Sequence, residues 1–128
     1  MKYVIDSWAW IEYLIGSDYG EKAKQIIESK ENEIFTCILS IAEISSMTKR
    51  ENRDSDSAYK TILSLSKIYN IDNDLAKEAG LFHAEIKKTI KDFGLIDSFI
   101  LSVAKKIKAK VVTGDEHFRT IKEAILIK

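Results

Sequence analysis

The feature that most constrains this chain is a regular alternation between short apolar segments and longer amphipathic ones. The clearest unit runs from Gly94 to Phe118. Its first half has apolar residues at helical spacing, namely Ile96, Ile100, Val103 and Ile107. Its second half contains the apolar segment Lys110–Thr113, which Gly114 ends. The unit predicts a helix with one buried stripe, followed by a short buried strand.

The rest of the chain repeats this arrangement. Four more short segments are predicted strands: Lys2–Ile5, Glu33–Cys37, Ile68–Ile71 and Ala124–Ile127. Helices are predicted around them at 8–15, 19–29, 40–50, 58–67 and 72–91. Strands that alternate with helices form parallel sheets covered on both faces. The pattern therefore predicts an α/β fold, and a length of 128 residues without a linker favours a single domain spanning 1–128.

Charge and cysteine content limit the classes of protein to consider. The chain has 20 basic and 20 acidic side chains, whereas a nucleic-acid binder that relies on phosphate neutralisation alone would be basic. A polyanionic partner would therefore need local cations or bound metal. The only cysteine, Cys37, cannot form an internal disulfide, which predicts a reducing, cytoplasmic setting. No apolar segment approaches the roughly 20 residues of a membrane span, so no membrane partner is expected.

Four acidic residues occupy positions at which open parallel sheets bind ligands. Asp6 and Asp115 directly follow predicted strands, and ligands collect beyond the carboxyl ends of such strands. Glu43 and Asp97 each lie about one turn into a helix, so all four carboxylates could converge on one crevice. They would repel one another unless a cation neutralised them. Oxygen ligands without a Cys or His cluster favour Mg²⁺ or Mn²⁺, which activate water and stabilise charge on a phosphoryl group.

Each acid also has a purely structural interpretation. Asp6–Ser7 could be only a strand-to-helix turn, and Thr113–Asp115 a plain turn. Ser40 and Glu43 match a capping box, in which the Glu43 side chain would bind the Ser40 amide. Asp97 is favourable near a helix N-terminus without any function. The shared placement at one edge of the sheet is what favours a metal site.

Other chemically versatile residues have weaker patterns. His83 and His117 lack Cys or His neighbours at metal-binding spacing and are predicted to be structural or solvated. The densest basic cluster, which could grip phosphates or simply be a solvated helix end, contains Lys49, Arg50 and Arg53.

The first predicted helix carries two tryptophans on different faces. Trp8 shares a stripe with Ile11 and Ile15 and is predicted to lie in the core. Trp10 lies about 200° around the helix from Trp8. Together with Tyr13 it either completes the core or forms a contact surface, and we take it as the candidate surface for a protein partner.

Four segments together resemble a known family: VIDSWAWIEYL, SIAEIS, GLIDSFILSVAKK and VVTGDEHF. They resemble the PIN domain, most closely the small single-domain toxins of VapBC-type toxin–antitoxin pairs, over nearly the whole chain. The resemblance implies a three-layer α/β/α sandwich and metal-dependent endoribonuclease activity on RNA. It also implies homodimerisation and inhibition by a small antitoxin protein.

The resemblance also implies roles for individual residues. The acids of the family's metal site match four residues of this chain: Asp6, Glu43, Asp97 and Asp115. Thr113 matches the usual hydroxyl beside the last acid. Some members carry another polar or acidic group just after that acid, a place occupied here by Glu116 or His117.

Two other classes of protein are alternatives. A receiver-like signalling domain also binds Mg²⁺ at strand ends, but it would have paired acids after its first strand and a lysine after its last strand-end turn. This chain has Asp6–Ser7 and Asp115–Glu116 instead. A catalytically inactive binding module would use the acids only in caps and turns. Metal-dependent cleavage of single-stranded RNA separates the three.

Overall fold

The computed structural model describes residues 1–128 and contains five strands and six α-helices. The strands are β1 (Lys2–Ile5), β2 (Glu33–Cys37), β3 (Lys67–Tyr69), β4 (Lys110–Thr113) and β5 (Ala124–Leu126). The helices are α1 (Ser7–Ile15), α2 (Asp18–Ile27), α3 (Ile38–Arg50), α4 (Ser55–Leu65), α5 (Asn73–Ile86) and α6 (Leu95–Ile107). A short 3-10 helix, Glu116–Phe118, follows β4. No helix combines the length and apolarity that crossing a membrane requires.

All five strands are parallel and lie in the order β3-β2-β1-β4-β5. In the centre of the sheet, Ile5 of β1 pairs with Val112 of β4. The chain builds one half of the sheet outward from β1 to β3 and then returns to β4 on the other side. The carboxyl ends of β1 and β4 therefore border the point at which the strand order reverses. Open α/β sheets bind their ligands at such a point.

Helices cover both faces of the sheet because neighbouring residues of a strand point to opposite sides. Val111 belongs to a core with α5 and α6, whereas Val112 belongs to a second core with α1 to α4. Val4 and Ile5 divide in the same way. The predicted α/β fold, a parallel sheet between two helical layers, is confirmed.

The end of α5 differs from the prediction because tertiary packing overrides apolar periodicity. The helix ends at Ile86 rather than near Lys91. The chain turns there and buries Phe93, which is 1% exposed. The carbonyl oxygen of Phe93 then lies 2.9 Å from Nε2 of His83. This contact gives His83 the structural role that its sequence pattern indicates.

The interpretation of Trp10 as a surface residue is wrong. Its side chain is fully buried, and its indole N–H donates to the Thr36 hydroxyl at 3.0 Å. That hydroxyl lies 2.7 Å from the Ser66 hydroxyl, which donates to the Ile62 carbonyl. We call Trp10, Thr36 and Ser66 the buried polar chain. The physical reason is that α1 packs against α2, α3 and the sheet, so more than one of its faces is covered.

Tyr13 packs against the molecule but is only partly buried. Its ring meets that of Trp10 edge-on, with 5.6 Å between the centroids. Its hydroxyl donates to the Glu28 carboxylate at 2.7 Å. Trp10 thus joins α1 to β2, and Tyr13 joins α1 to the end of α2 while part of its side chain stays exposed.

Candidate active site

A cleft of about 450 Å³ opens at the carboxyl edge of the sheet, where β1 and β4 end. We call it the acidic cleft, and it is lined by Asp6, Ser7, Trp8, Glu43, Asp97, Gly114, Asp115, Glu116, His117 and Lys128. The four acids singled out from the sequence all line it. They meet because β1 and β4 are neighbours and because α3 and α6 begin at the same edge.

Asp6 is the most buried acid of the cleft, with only 3% of its surface exposed. It also caps α1, since its Oδ1 accepts a hydrogen bond from the Ala9 amide at 2.8 Å. Burial raises the pKa of Asp6 to about 7, and the charges of Asp97 and Asp115 contribute to the increase. Hydrogen bonds from the Thr113 hydroxyl and the Ala9 amide offset part of this effect. The ionised form of Asp6 is therefore disfavoured in the absence of a cation.

Asp97 lies in the first turn of α6, which begins directly after Gly94. A Cβ atom at position 94 would lie 3.2 Å from Oδ2 of Asp97, so the glycine leaves room for this carboxylate. Burial raises the pKa of Asp97 to about 6, and the charges of Asp115 and Glu43 contribute to the increase. A backbone hydrogen bond from Gly94 and the proximity of His117 act in the opposite direction.

Asp115 and His117 are held together by the turn after β4. Oδ1 of Asp115 accepts a hydrogen bond from the His117 amide at 2.9 Å and lies 3.0 Å from Nδ1 of the same residue. The Asp115 amide in turn donates to the Thr113 hydroxyl at 3.0 Å. Ligand atoms of Asp97, Asp115 and His117 all lie within 4.8 Å of one another. One ion placed between them could contact all three.

Glu43 lines the same cleft outside that group of three, and its capping-box interpretation is wrong. α3 begins at Ile38, with Cys37 in the cap position, so Ser40 lies inside the helix. The Ser40 hydroxyl has no hydrogen-bond partner. The Glu43 carboxylate instead accepts a hydrogen bond from the Ser7 hydroxyl. Burial raises the pKa of Glu43 despite this bond.

Of the two residues that follow the last acid, His117 faces the carboxylates and Glu116 does not pair with them. Both oxygens of Glu116 bind the Arg119 guanidinium, at 2.7 and 2.8 Å. The sequence indicates this position without choosing between the two residues. A histidine two residues beyond an acid, in a tight turn, is the signal that could have identified it.

The basic cluster is not part of the acidic cleft. Lys49 and Arg50 lie at the end of α3, and Arg53 follows that helix, where it pairs with Glu51 at 3.4 Å. Glu43 is seven residues before Arg50 on the same helix. At 1.5 Å per residue this separation is about 10 Å along the axis. Contact of the cluster with RNA thus stays a prediction for a more distant part of the substrate.

The prediction that Trp8 lies in the core is correct only in part. Trp8 packs against the core of α1 to α4, but it is only partly buried and also lines the acidic cleft beside Gly114. Its position two residues after Asp6, in the first turn of α1, was the available signal. Ser7 and Lys128 also line the cleft, and neither was singled out as a site residue.

A family model described as the PIN domain matches residues 3–124. The chain belongs to the PIN domain family. The matched range contains the four acids and His117, and it confirms the resemblance drawn from the four short segments. The receiver-like alternative is thereby replaced. No curated protein matches the sequence.

Solved structures share the fold of this PIN domain protein. A toxin–antitoxin complex from Klebsiella pneumoniae superposes with a TM-score of 0.76 at 20% identity and covers 98% of each chain. VapBC2 from Rickettsia felis, solved with a DNA fragment from its promoter, gives 0.75 at 21% identity over 98% of this chain and 97% of that one. VapC20 from Mycobacterium tuberculosis, a sarcin–ricin loop cleaving toxin, gives 0.70 at 16% identity over 85% and 86%. At these identities the similarity establishes the fold.

Proposed function

We propose that this PIN domain protein is a metal-dependent endoribonuclease that cleaves single-stranded RNA. The observation that carries the proposal is the convergence of Asp6, Glu43, Asp97 and Asp115 on one cleft. Partly buried carboxylates that repel one another do not stabilise a fold. A divalent cation would remove the repulsion. The raised pKa values of Asp6 and Asp97 mean that these carboxylates bind a proton more readily than usual, so positive charge is favoured in the cleft.

The residues of the cleft fit Mg²⁺ or Mn²⁺ as the cofactor. Asp97, Asp115 and His117 would hold the ion, because their ligand atoms lie within 4.8 Å of one another. When bound, such an ion lowers the pKa of a coordinated water and stabilises charge that develops on a phosphoryl group. The imidazole of His117 makes Mn²⁺ the better match of the two, since nitrogen ligands suit it more than Mg²⁺.

The remaining cleft residues would orient the site and the substrate. The Thr113 hydroxyl fixes the turn that carries Asp115 and binds Asp6. The Ser7 hydroxyl would orient Glu43 in the same cleft. An in-line attack on phosphorus requires a flexible, accessible phosphate, which favours unpaired RNA over a duplex.

We further propose that the protein is the toxin of a toxin–antitoxin pair, acts in the cytoplasm and forms a homodimer. Support comes from the fold shared with toxin–antitoxin complexes over nearly the whole of both chains. A small antitoxin protein would be the inhibitory partner. With Trp10 buried, the candidate contact is a groove in which the apolar Ile11, Leu14, Ile15 and Ala58 lie beside the polar Thr48, Arg53, Asp54 and Ser57. Light scattering of the purified protein, alone and with its antitoxin, tests both assemblies.

Cleavage of a labelled single-stranded RNA by the wild-type protein in Mn²⁺ or Mg²⁺ tests the central proposal. Asp97→Asn should lower the rate at least about a thousandfold, because it removes a charged metal ligand. Asp56→Asn is the matched control, since Asp56 is exposed on α4 and binds only Lys60. Equal cleavage by the Asp97→Asn protein would refute the assignment. Absence of cleavage by the wild type would favour the inactive binding module.

The metal assignment has its own test. Titration calorimetry should show that His117→Ala weakens Mn²⁺ binding about tenfold, roughly 1.4 kcal/mol, and affects Mg²⁺ much less. Equal losses for the two ions would mean that the imidazole orients Asp115 instead of contacting the metal.

A further inference from the structure

One aromatic residue packs partly against the core of α1 to α4 and also lines the acidic cleft, where the metal site does not account for it. Trp8 lies two residues after Asp6 and is partly exposed. The other tryptophan, Trp10, is fully buried and hydrogen-bonded. The structure thus places one indole in the interior and the other beside the carboxylates.

Two neighbours hold the Trp8 ring in a defined position. A Cβ atom at Gly114 would come within 2.2 to 2.4 Å of three carbons of the ring, so the indole lies directly against the Gly114 backbone. The Tyr19 ring is tilted by 46° to it, with 5.8 Å between the centroids, and Tyr19 is 38% exposed. An aromatic side chain fixed in this way loses little conformational freedom when a ligand binds.

The charged side chains of the cleft would not attract RNA, so its affinity for RNA needs another source. Most charged side chains that line the cleft are acidic, and Lys128 is its only lysine or arginine. The net charge of the chain is zero, and the basic cluster at the end of α3 lies about 10 Å from Glu43 along that helix. Basic side chains therefore contribute little phosphate neutralisation at this edge. Stacking on an aromatic ring supplies affinity for any unpaired base without a positive charge.

We infer that Trp8, supported by Gly114 and Tyr19, is a stacking platform for a base of single-stranded RNA. The inference rests on the proposed nuclease function. Trp8 follows Asp6 by two residues, and its support Gly114 directly precedes Asp115. Trp8 and the carboxylates line the same cleft, so a base on this ring would belong to a nucleotide close to the phosphate at the proposed metal site. The platform selects unpaired RNA, because a base within a duplex cannot leave its stack to reach the ring.

Equilibrium binding in an Asp97→Asn background, which prevents cleavage, tests the platform. The probe is a fluorescein-labelled single-stranded RNA of about ten nucleotides, followed by anisotropy. Trp8→Leu should weaken binding about tenfold, whereas Trp8→Phe should stay within about threefold because it keeps a ring. Tyr59→Leu is the matched control, since Tyr59 is an exposed aromatic residue on α4 away from the cleft. An abasic strand with the same phosphates should bind the Trp8→Leu protein and its parent equally.

Intrinsic fluorescence supplies a second readout that does not depend on how well Trp8→Leu folds. Stacking of a base should quench the emission of Trp8, and the quench should disappear in Trp8→Phe. Trp10 remains in that variant as an internal reference, because it is fully buried.

The outcomes separate the platform from the nuclease proposal. Cleavage by the wild type, together with equal RNA binding by Trp8→Leu and its parent, would overturn the platform alone. An equal loss with the abasic strand would also overturn it, since the ring would then act through packing. If Trp8→Leu does not fold, the fluorescence measurement decides the question. A parent protein whose tryptophan emission does not change when RNA is added would overturn the platform. A wild type that neither binds nor cleaves RNA would overturn both proposals.

Discussion

The buried polar chain and the acidic cleft both place polar groups inside the molecule, but in opposite electrostatic conditions. In the buried polar chain, the Trp10 indole and the hydroxyls of Thr36 and Ser66 are neutral, and each has a hydrogen-bond partner at 3.0 Å or less. In the cleft, carboxylates of one sign lie together, and burial raises the pKa values of Asp6 and Asp97. Polar groups that serve the fold are satisfied within the chain. The carboxylates of the cleft lack such compensation, which is why we propose that they bind a cation.

Removing a member of the buried polar chain should have the largest effect on stability. Trp10→Ala leaves a cavity and should lower the free energy of unfolding by about 3–5 kcal/mol. Urea denaturation measures the change. Tyr59→Ala, an exposed aromatic residue on α4, should change it by less than about 0.5 kcal/mol. A Trp10→Ala protein as stable as the wild type would mean that the buried polar chain does not stabilise the fold.

The cleft should show the opposite behaviour in its response to pH. The pKa of Asp6 is raised from 3.8 to about 7, and that of Asp97 to about 6. Between pH 4 and 7 the folded protein therefore holds more protons at these groups than the unfolded chain does. Their contribution to the free energy of unfolding of the metal-free protein should fall across this range, by up to about 6 kcal/mol for the two groups together.

Urea titrations at several pH values in the presence of a chelator measure this loss. Comparison with Asp97→Asn isolates the contribution of the cleft from that of the other carboxylates, because the variant should show a shallower decline. Saturating Mn²⁺ at pH 7.5 should restore the lost stability, since the ion binds the ionised carboxylates of the folded state. A wild type whose pH dependence matched that of Asp97→Asn would remove Asp97 from this explanation.

Substituting one cleft acid should stabilise the protein in the absence of metal. Asp97→Asn removes a like charge near Asp115 and Glu43 and should raise the free energy of unfolding by about 1 kcal/mol at pH 8. Asp72→Asn is the matched control. Asp72 caps α5, and asparagine caps as well as aspartate, so that change should be close to neutral. A destabilised Asp97→Asn protein would place Asp97 among the residues that serve the fold.

The basic cluster should show the smallest effect, because it belongs to neither region. Replacing Lys49, Arg50 and Arg53 with Ala should weaken RNA binding less than about threefold at 0.1 M salt. The slope of log affinity against log salt should fall by less than about 2, the value for three lost contacts to single-stranded phosphates. The control replaces three exposed lysines elsewhere: Lys22, Lys30 and Lys77. A slope identical to that of the control would remove the cluster from the RNA interface.

The acids were predictable from the sequence because strand topology alone determines where they meet. A residue that follows a parallel strand must lie at the carboxyl edge of the sheet, so the alternating pattern is sufficient to place Asp6 and Asp115 there. Glu43 and Asp97 follow because helices begin at that same edge. The chemistry that these residues perform stays a proposal.

The burial of the two tryptophans was not predictable, because helical spacing gives the angle between side chains around the helix but not which other elements pack against each face. The spacing correctly put Trp8 and Trp10 on different faces, but only the packing of α2 and α3 against α1 decides which face is covered. The contact of His117 with Asp115 likewise depends on a 3-10 turn of three residues, which is too short to leave a period.

The cap of α1 combines a structural role of Asp6 with the role proposed for its charge in the cleft. One carboxylate oxygen of Asp6 accepts a hydrogen bond from the Ala9 amide, and an asparagine or serine side chain would cap the helix equally well. Helix capping alone therefore does not require the charge at this position. A single substitution could remove the charge and keep the helix, so under the proposed function this one position could separate activity from fold. Among relatives, the residue that caps this helix would then distinguish chains that have kept their chemistry from chains that retain only the scaffold.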